Sequence, residues 1–227
     1  MSFAVLFPCR RGHRAVETVA NILETTPELF RLYIAVCDDA TARSLAGIAR
    51  DALRHDNLDA LHILPTPYEW TALRRCTFLY EHSDEDVFFF AADDFRFHLG
   101  WSTRALEIMA EVDGVVTVND LHDAYPVGAG PMFSRRYVVE ESCVLDEPRT
   151  LFPSGYHHGF ADIEIIQTAM ARHRFGYCQL AAVEHLRHDR DVTGALPNDD
   201  TYTEIESHYQ TDQALYESRR HLWEAVV

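Results

Sequence analysis

Short apolar runs and segments of helical periodicity take turns along the first hundred residues of the chain. "FAVLFPC" (3–9) reads as a strand, "HRAVETVANILETTP" follows with Val16, Val19, Ala20 and Leu23 at helical spacing, and "LFRLYIAVCDD" (29–39) is the next strand. A helix through "TARSLAGIARDALRH", a strand "ALHILP", a helix through "EWTALRRCTFLYEHS" and a strand "DVFFFAA" continue the pattern. Repetition of this kind predicts an α/β fold, a mostly parallel Rossmann-like sheet flanked by helices, because parallel strands need crossovers long enough to hold a helix. Ligands of such open sheets sit at the carboxyl ends of the strands. That expectation sets Cys9, Arg10 and Arg11, then Asp38 and Asp39, then Asp93 and Asp94 along one edge of one cleft.

Beyond residue 100 the texture changes. "TRALEIMAEV" predicts a helix, "GVVTVND" (114–120) a strand, and "AYPVGAGPMFSRRYVVEE" an interrupted passage rich in Gly and Pro. "SGYHHGFADIEIIQTAMARHRFGY" opens a helix at about Ala161, "YCQLAAVEHLRHD" is a last strand and exit, and a helix is expected from Thr203 to Trp223. No internal repeat or low-complexity linker divides the 227 residues. The expectation is one compact domain, with about 1–100 as a nucleotide-binding half, about 101–202 as an acceptor half and about 203–227 as a C-terminal helix.

The chain has 47% hydrophobic residues, enough for a sizeable core, but its apolar runs fall far short of the roughly 20 residues that cross a bilayer. "MSFAVLFPCRRGHR" lacks the basic-then-apolar order of a signal peptide, so the expectation is a soluble, cytoplasmic chain without a membrane partner. Cys9, Cys37, Cys76, Cys143 and Cys178 are odd in number and scattered, which favours reduced thiols over disulfides or a zinc cluster. The net charge of -16 arises entirely after residue 75 and disfavours indiscriminate DNA binding, while also serving solubility.

One stretch is at odds with simple burial. "DVFFFAADDFRFHLGW" ends an apolar strand with Asp93 and Asp94, and a carboxylate in apolar surroundings costs several kcal/mol or more unless a partner compensates it. There is no G-x-x-x-x-G-K-[ST] loop, and Gly128-Ala129-Gly130 runs into Pro131 without a third glycine; G-x-S-x-G and H-E-x-x-H are also missing. Kinase, Rossmann dehydrogenase and serine hydrolase chemistry are thereby disfavoured. Mg²⁺ and Mn²⁺ take oxygen ligands and use one or two carboxylates with diphosphate oxygens and waters, which suits a carboxylate pair at a strand end.

"FPCRRGHR", "VCDD" and "FFFAADDFRFHLGW", in that order, resemble the glycosyltransferase-A fold, in particular inverting family-2-like enzymes. "VEHLRHDRDVTGALPNDDTY" is similar to small bacteriophage-encoded glycosyltransferases, some of which modify hydroxymethylated bases in DNA. The resemblance covers roughly residues 3–202 and departs at Ala92, which stands where the family's D-x-D begins. It implies a nucleotide-sugar donor, UDP-sugar foremost, bound by Arg10, Arg11, Asp38, Asp39 and Asp93. It also implies Mn²⁺ or Mg²⁺ held by Asp94 with Asp93 and His185, and Asp162 or Glu164 as the base that activates the acceptor. Trp101 and Tyr156 are candidates to stack on sugar or base. Arg135 and Arg136, with Arg187 and Arg190, form a candidate basic rim for a DNA acceptor.

Each element also has an ordinary reading. Asp93-Asp94 suits an Asx-type turn, Asp38-Asp39 a helix N-cap, and Asp162 with Glu164 a helix N-terminus. Two other functions fit the same residues: a two-metal nucleotidyltransferase or phosphohydrolase using His157, His158, Asp162, His185 and Asp189, and a non-catalytic nucleotide-sugar-binding protein.

Overall fold

A computed structural model describes residues 1–52, 55–121, 128–186 and 200–225. The first half follows the expected alternation: β1 (Phe3–Pro8), α1 (Gly12–Thr25), β2 (Phe30–Val36), α2 (Asp39–Ala52), β3 (Leu58–Pro65), α3 (Ala72–Glu81) and β4 (Val87–Phe90). The second half contains β5 (Phe95–Phe97), α4 (Trp101–Val112), β6 (Val115–Asn119), β7 (Ala129–Ser134), α5 (Arg135–Glu140), α6 (Ala161–Ala171), β8 (Phe175–His185), α7 (Asp200–Arg219) and α8 (His221–Glu224).

Among the described residues the strands form one eight-stranded sheet in the order β3-β2-β1-β4-β7-β6-β8-β5. Its first four strands are parallel, β6 and β8 are parallel, and β7 runs antiparallel between β4 and β6. Side-chain alternation divides the core into two layers. Phe3, Val5, Phe7, Val87 and Phe89 face one layer, which includes Trp101, while Ala4, Leu6, Phe88 and Phe90 face the other, which includes Phe133 and Ile165. Each buried Phe contributes about 1.5–3 kcal/mol relative to exposure.

Two strands lay hidden in passages that read as loop. Pro131 and the glycines made "GAGPMFS" look irregular, yet β7 sits inside the sheet. Pro131 is matched with Thr117 of β6 and with no residue of β4, so its missing N–H interrupts no ladder on the β4 side. Gly130 has φ +55°, and a Cβ there would lie 2.6 Å from the Phe90 carbonyl oxygen. The second strand, β5, is three residues long and pairs antiparallel with β8. Asn21 of α1 fastens it, accepting from the Phe97 N–H at 2.6 Å and donating to its carbonyl at 3.1 Å. All five cysteines are free. No helix among the described residues is long and apolar enough to cross a membrane.

Candidate active site

The carboxyl ends of β1, β2 and β4 meet along one edge. There the burial of Asp93 and Asp94, 6% and 5% exposed, finds its compensation in Arg11, which is itself 9% exposed. Arg11 follows β1 and precedes α1, so its backbone and side chain both reach across to the end of β4. Its Nε donates to Asp93 Oδ1 at 2.7 Å, its backbone N–H to Asp93 Oδ2 at 2.8 Å, and its Nη2 to Asp94 Oδ2 at 2.7 Å. The Arg10 N–H adds a longer contact to Asp93 Oδ2 at 3.3 Å. Both Asp93 oxygens are thus engaged by the end of β1. An arginine fork suits this task better than a lysine, because its several N–H groups serve two carboxylates at once.

Asp94 faces the other way as well. The β5–β8 pairing matches Phe95 with His185, and the Leu186 N–H donates to the Asp94 carbonyl at 2.7 Å. The register brings His185 Nε2 to 3.4 Å from Asp94 Oδ2. Burial alone would raise the Asp94 carboxyl, but the His185 hydrogen bond and charge together with Arg11 outweigh it and hold the group well below the ordinary carboxylate range. His158 and Asp162 stand within electrostatic range of this pair. His158 is exposed and Asp162 partly exposed at the start of α6. The surrounding protein pushes the Asp162 carboxyl above its ordinary value and the His158 imidazole below its own. A solvent-reached carboxylate with a raised pKa is suited to taking a proton from an incoming hydroxyl.

Three further groups line the edge near β2 and β3. Asp38 accepts from the Thr41 N–H at 2.8 Å and its hydroxyl at 2.6 Å, capping α2, and Asp39 is exposed beside it. Arg10 pairs with Glu204 of α7 at 2.6 Å and lies over the Tyr68 ring, 5.2 Å from its centroid. Arg75 was not singled out from the sequence. It is 1% exposed and donates to Thr66 Oγ1 and to the carbonyls of Pro67 and Tyr68, at 3.3, 3.1 and 2.9 Å, all of them neutral acceptors. In "ALRRCTF" only the unpatterned second Arg of a pair marks it.

Other expected site residues lie elsewhere, each for a physical reason. Glu164 is buried within the first turn of α6, where Arg219 of α7 grips both of its oxygens at 2.9–3.1 Å and the Tyr156 hydroxyl donates to it at 2.7 Å. Glu164 and Tyr156 therefore form a packing network. Trp101 is fully buried against Phe89 and Phe97 with its indole N–H on Thr26, so it offers no stacking face to a ligand. Arg135 and Arg136 follow β7, whose antiparallel course ends beside Val87 at the far end of β4. There Arg135 donates to the Glu85 carbonyl and Ser83, and Arg136 pairs with Asp113. Arg187, Arg190 and Asp189 lie outside the described residues. A hollow of about 550 Å³ near Arg31, Tyr33 and His62 also opens at the far end of the strands, and its Arg31 is spent on Asp59, Asp84 and Glu85.

Asp94 Oδ2 and His185 Nε2 converge as an oxygen and a nitrogen donor of the kinds that divalent Mn accepts. No group of three or more His, Cys, Asp or Glu is placed to hold a metal among the described residues. The donor set therefore fits a cation bound by two protein groups and completed by diphosphate oxygens and waters, as is common for Mg²⁺. Arg11 engages both oxygens of Asp93 and the Asp94 Oδ2, and of the two acids it is Asp94 that also faces His185.

No protein-family model matches the sequence, and comparison with curated proteins gives no match. Solved structures do share the fold, which is of the glycosyltransferase-A type. S. aureus TarS superposes on 97% of this chain with 11% identity and a TM-score of 0.62. Its 1-349 form in complex with UDP-GlcNAc covers 97% of this chain and 73% of its own, at 12% identity and a TM-score of 0.59. The mannosyltransferase PcManGT from Pyrobaculum calidifontis, solved with GDP-Man and Mn²⁺, covers 83% of this chain at 16% identity with a TM-score of 0.63. This chain spans 44% of TarS and 58% of the mannosyltransferase. At such identities the likeness is one of fold.

Proposed function

We propose that the chain is a metal-dependent glycosyltransferase that moves a sugar from a nucleotide diphosphate-sugar, UDP-sugar foremost, to an acceptor hydroxyl with inversion. The observation that carries this reading is the juxtaposition of Asp94 and His185 with Asp162 at the carboxyl end of a glycosyltransferase-A sheet. Neighbours of that fold that were solved with UDP, UDP-GlcNAc or GDP-Man and Mn²⁺ support it further.

In this reading Asp94 and His185 hold Mn²⁺ or Mg²⁺, which when bound supplies positive charge to the diphosphate leaving group. Arg11 pairs with both carboxylates and fixes them in place. Asp38 and Asp39 accept from base or ribose, and Arg10 and Arg75 offer positive charge to the nucleotide. Asp162 takes the proton of the acceptor hydroxyl as its oxygen attacks the anomeric carbon. The bond from that carbon to the diphosphate oxygen breaks on the opposite face, and its electron pair leaves with the nucleotide. The acceptor is named by its hydroxyl: the segment "VEHLRHDRDVTGALPNDDTY" that pointed to a hydroxymethylated base in DNA lies largely outside the described residues, and Arg135 and Arg136 of the candidate basic rim stand at the far end of the sheet.

Thermal melting in the presence of UDP, GDP and CMP and their sugar derivatives, with and without Mn²⁺, tests the reading. Binding raises the melting temperature with the logarithm of ligand over Kd. The expected result is stabilisation by one nucleotide series, larger with Mn²⁺ and weakened in Asp94→Asn. Absence of stabilisation by any nucleotide or nucleotide-sugar contradicts it.

A further inference from the structure

Asp212 lies within α7, 1% exposed, a costly position for a charge. Its carboxylate is satisfied by three successive backbone N–H groups of a distant turn: His157 to Oδ1 at 3.0 Å, and His158 and Gly159 to Oδ2 at 2.9 and 2.8 Å. The His157 ring stacks on His208 of the same helix, with centroids 3.9 Å apart. The turn ends at Phe160, whose φ of +64° lies in the left-handed region that a bulky residue adopts only under constraint. The next residue opens α6, with Asp162 in its first turn, and Phe160 gives this helix no side-chain cap. What holds the turn in place comes from 53 to 55 residues downstream.

We propose that Asp212 is a positioning residue for the acceptor side of the site: by gathering the N–H groups of His157, His158 and Gly159 it fixes the strained turn that sets Asp162 and His158 at the start of α6. The inference rests on the glycosyltransferase reading insofar as Asp162 is the base. It makes α7 part of the catalytic apparatus although none of its own groups touches the reacting atoms. Truncating Asp212 leaves three N–H groups without their acceptor, and Phe160 relaxes toward ordinary backbone angles. The first turn of α6 then shifts. A misplacement of about 1 Å in a catalytic group costs on the order of 10²-fold in rate.

The test uses the full chain with Asp212→Ala and Asp212→Asn, and reads turnover of a nucleotide-sugar together with amide hydrogen exchange. In Asp212→Ala, kcat is expected to fall by roughly 10- to 100-fold, with the donor KM within about twofold and faster exchange confined to the 157–160 turn and the start of α6. Asn retains one acceptor oxygen and should recover part of the loss. If Asp212→Ala does not fold, Asp212→Asn decides on the same readouts. Unchanged kcat, or a loss expressed in donor KM alone, overturns the proposal. The exchange measurement separates the two readings: if the wild-type chain turns over no nucleotide-sugar, the glycosyltransferase reading fails, while faster exchange at 157–160 still upholds the brace. Unchanged exchange there refutes the brace by itself.

Discussion

Arg11 holds Asp93 from both ends of the residue, through its side-chain Nε at 2.7 Å from one carboxylate oxygen and its backbone N–H at 2.8 Å from the other. The same guanidinium reaches Asp94 at 2.7 Å. Arg11→Ala therefore leaves two buried carboxylates without their cation, a change expected to cost about 3–5 kcal/mol. Arg11→Lys keeps the charge but loses the fork and should fall between. Urea unfolding measures both. Because protonating Asp94 relieves part of the penalty, the gap between Arg11→Ala and wild type should narrow as the pH falls; a gap that widens toward acid would contradict this account.

Asp94 sets a second pH dependence. Its folded pKa lies below the unfolded value of about 3.9, so the stability it contributes is present above that value and lost as the pH falls toward the folded one. The unfolding free energy of wild type should drop below about pH 4, and Asp94→Asn should show a shallower drop. Parallel curves would mean that Asp94 gains little from Arg11 and His185.

Much of this arrangement was legible in the sequence, and the limits have physical causes. Strand-helix alternation up to Phe90 revealed the sheet because each element carries its own periodicity, and it brought the ends of β1, β2 and β4 together before any coordinates. The Asp93-Asp94 pair announced a need for compensation, but not its source. Arg11 answers it from 82 residues away through a tertiary contact that no local pattern records. β5 escaped because three residues show too little alternation, and β7 because Gly130 and Pro131 imitate a loop. Asp212 is one acid among several in α7, and only the turn it holds sets it apart. Trp101, Arg135 and Arg136 were misjudged because residue type does not say which end or layer of a sheet a side chain will reach.

Asp162 and Glu164 sit two residues apart and should behave in opposite ways. Asp162→Asn is expected to leave nucleotide-sugar binding intact and lower transfer by roughly 10²–10⁴-fold, the range for loss of a general base. Glu164→Gln weakens the Arg219 and Tyr156 network and should lower the melting temperature with little change in kcat. Steady-state kinetics beside thermal melting distinguishes them. An inactive Glu164→Gln beside an active Asp162→Asn would reverse the assignment.

The pH profile of kcat should carry the mark of Asp162. The base acts ionised, and burial raises its pKa, so the acid limb should lie above the ordinary carboxylate value of about 4. Rate is lost as the pH falls through that limb. A profile flat down to pH 4 would indicate a base in a less buried setting.

The central claim, that the residues around Asp94 and His185 bind a divalent ion and break the bond between a sugar and a nucleotide diphosphate, is tested most directly by release of free nucleotide. The folded protein is incubated with Mn²⁺ and a panel of UDP-, GDP- and CMP-sugars, with chelator and Asp94→Asn as controls. The account predicts slow release from a nucleotide diphosphate-sugar, abolished by chelator and strongly reduced in Asp94→Asn. Release that persists unchanged in both controls, or nucleotide-sugar binding with no release even when hydroxyl acceptors are supplied, would contradict it.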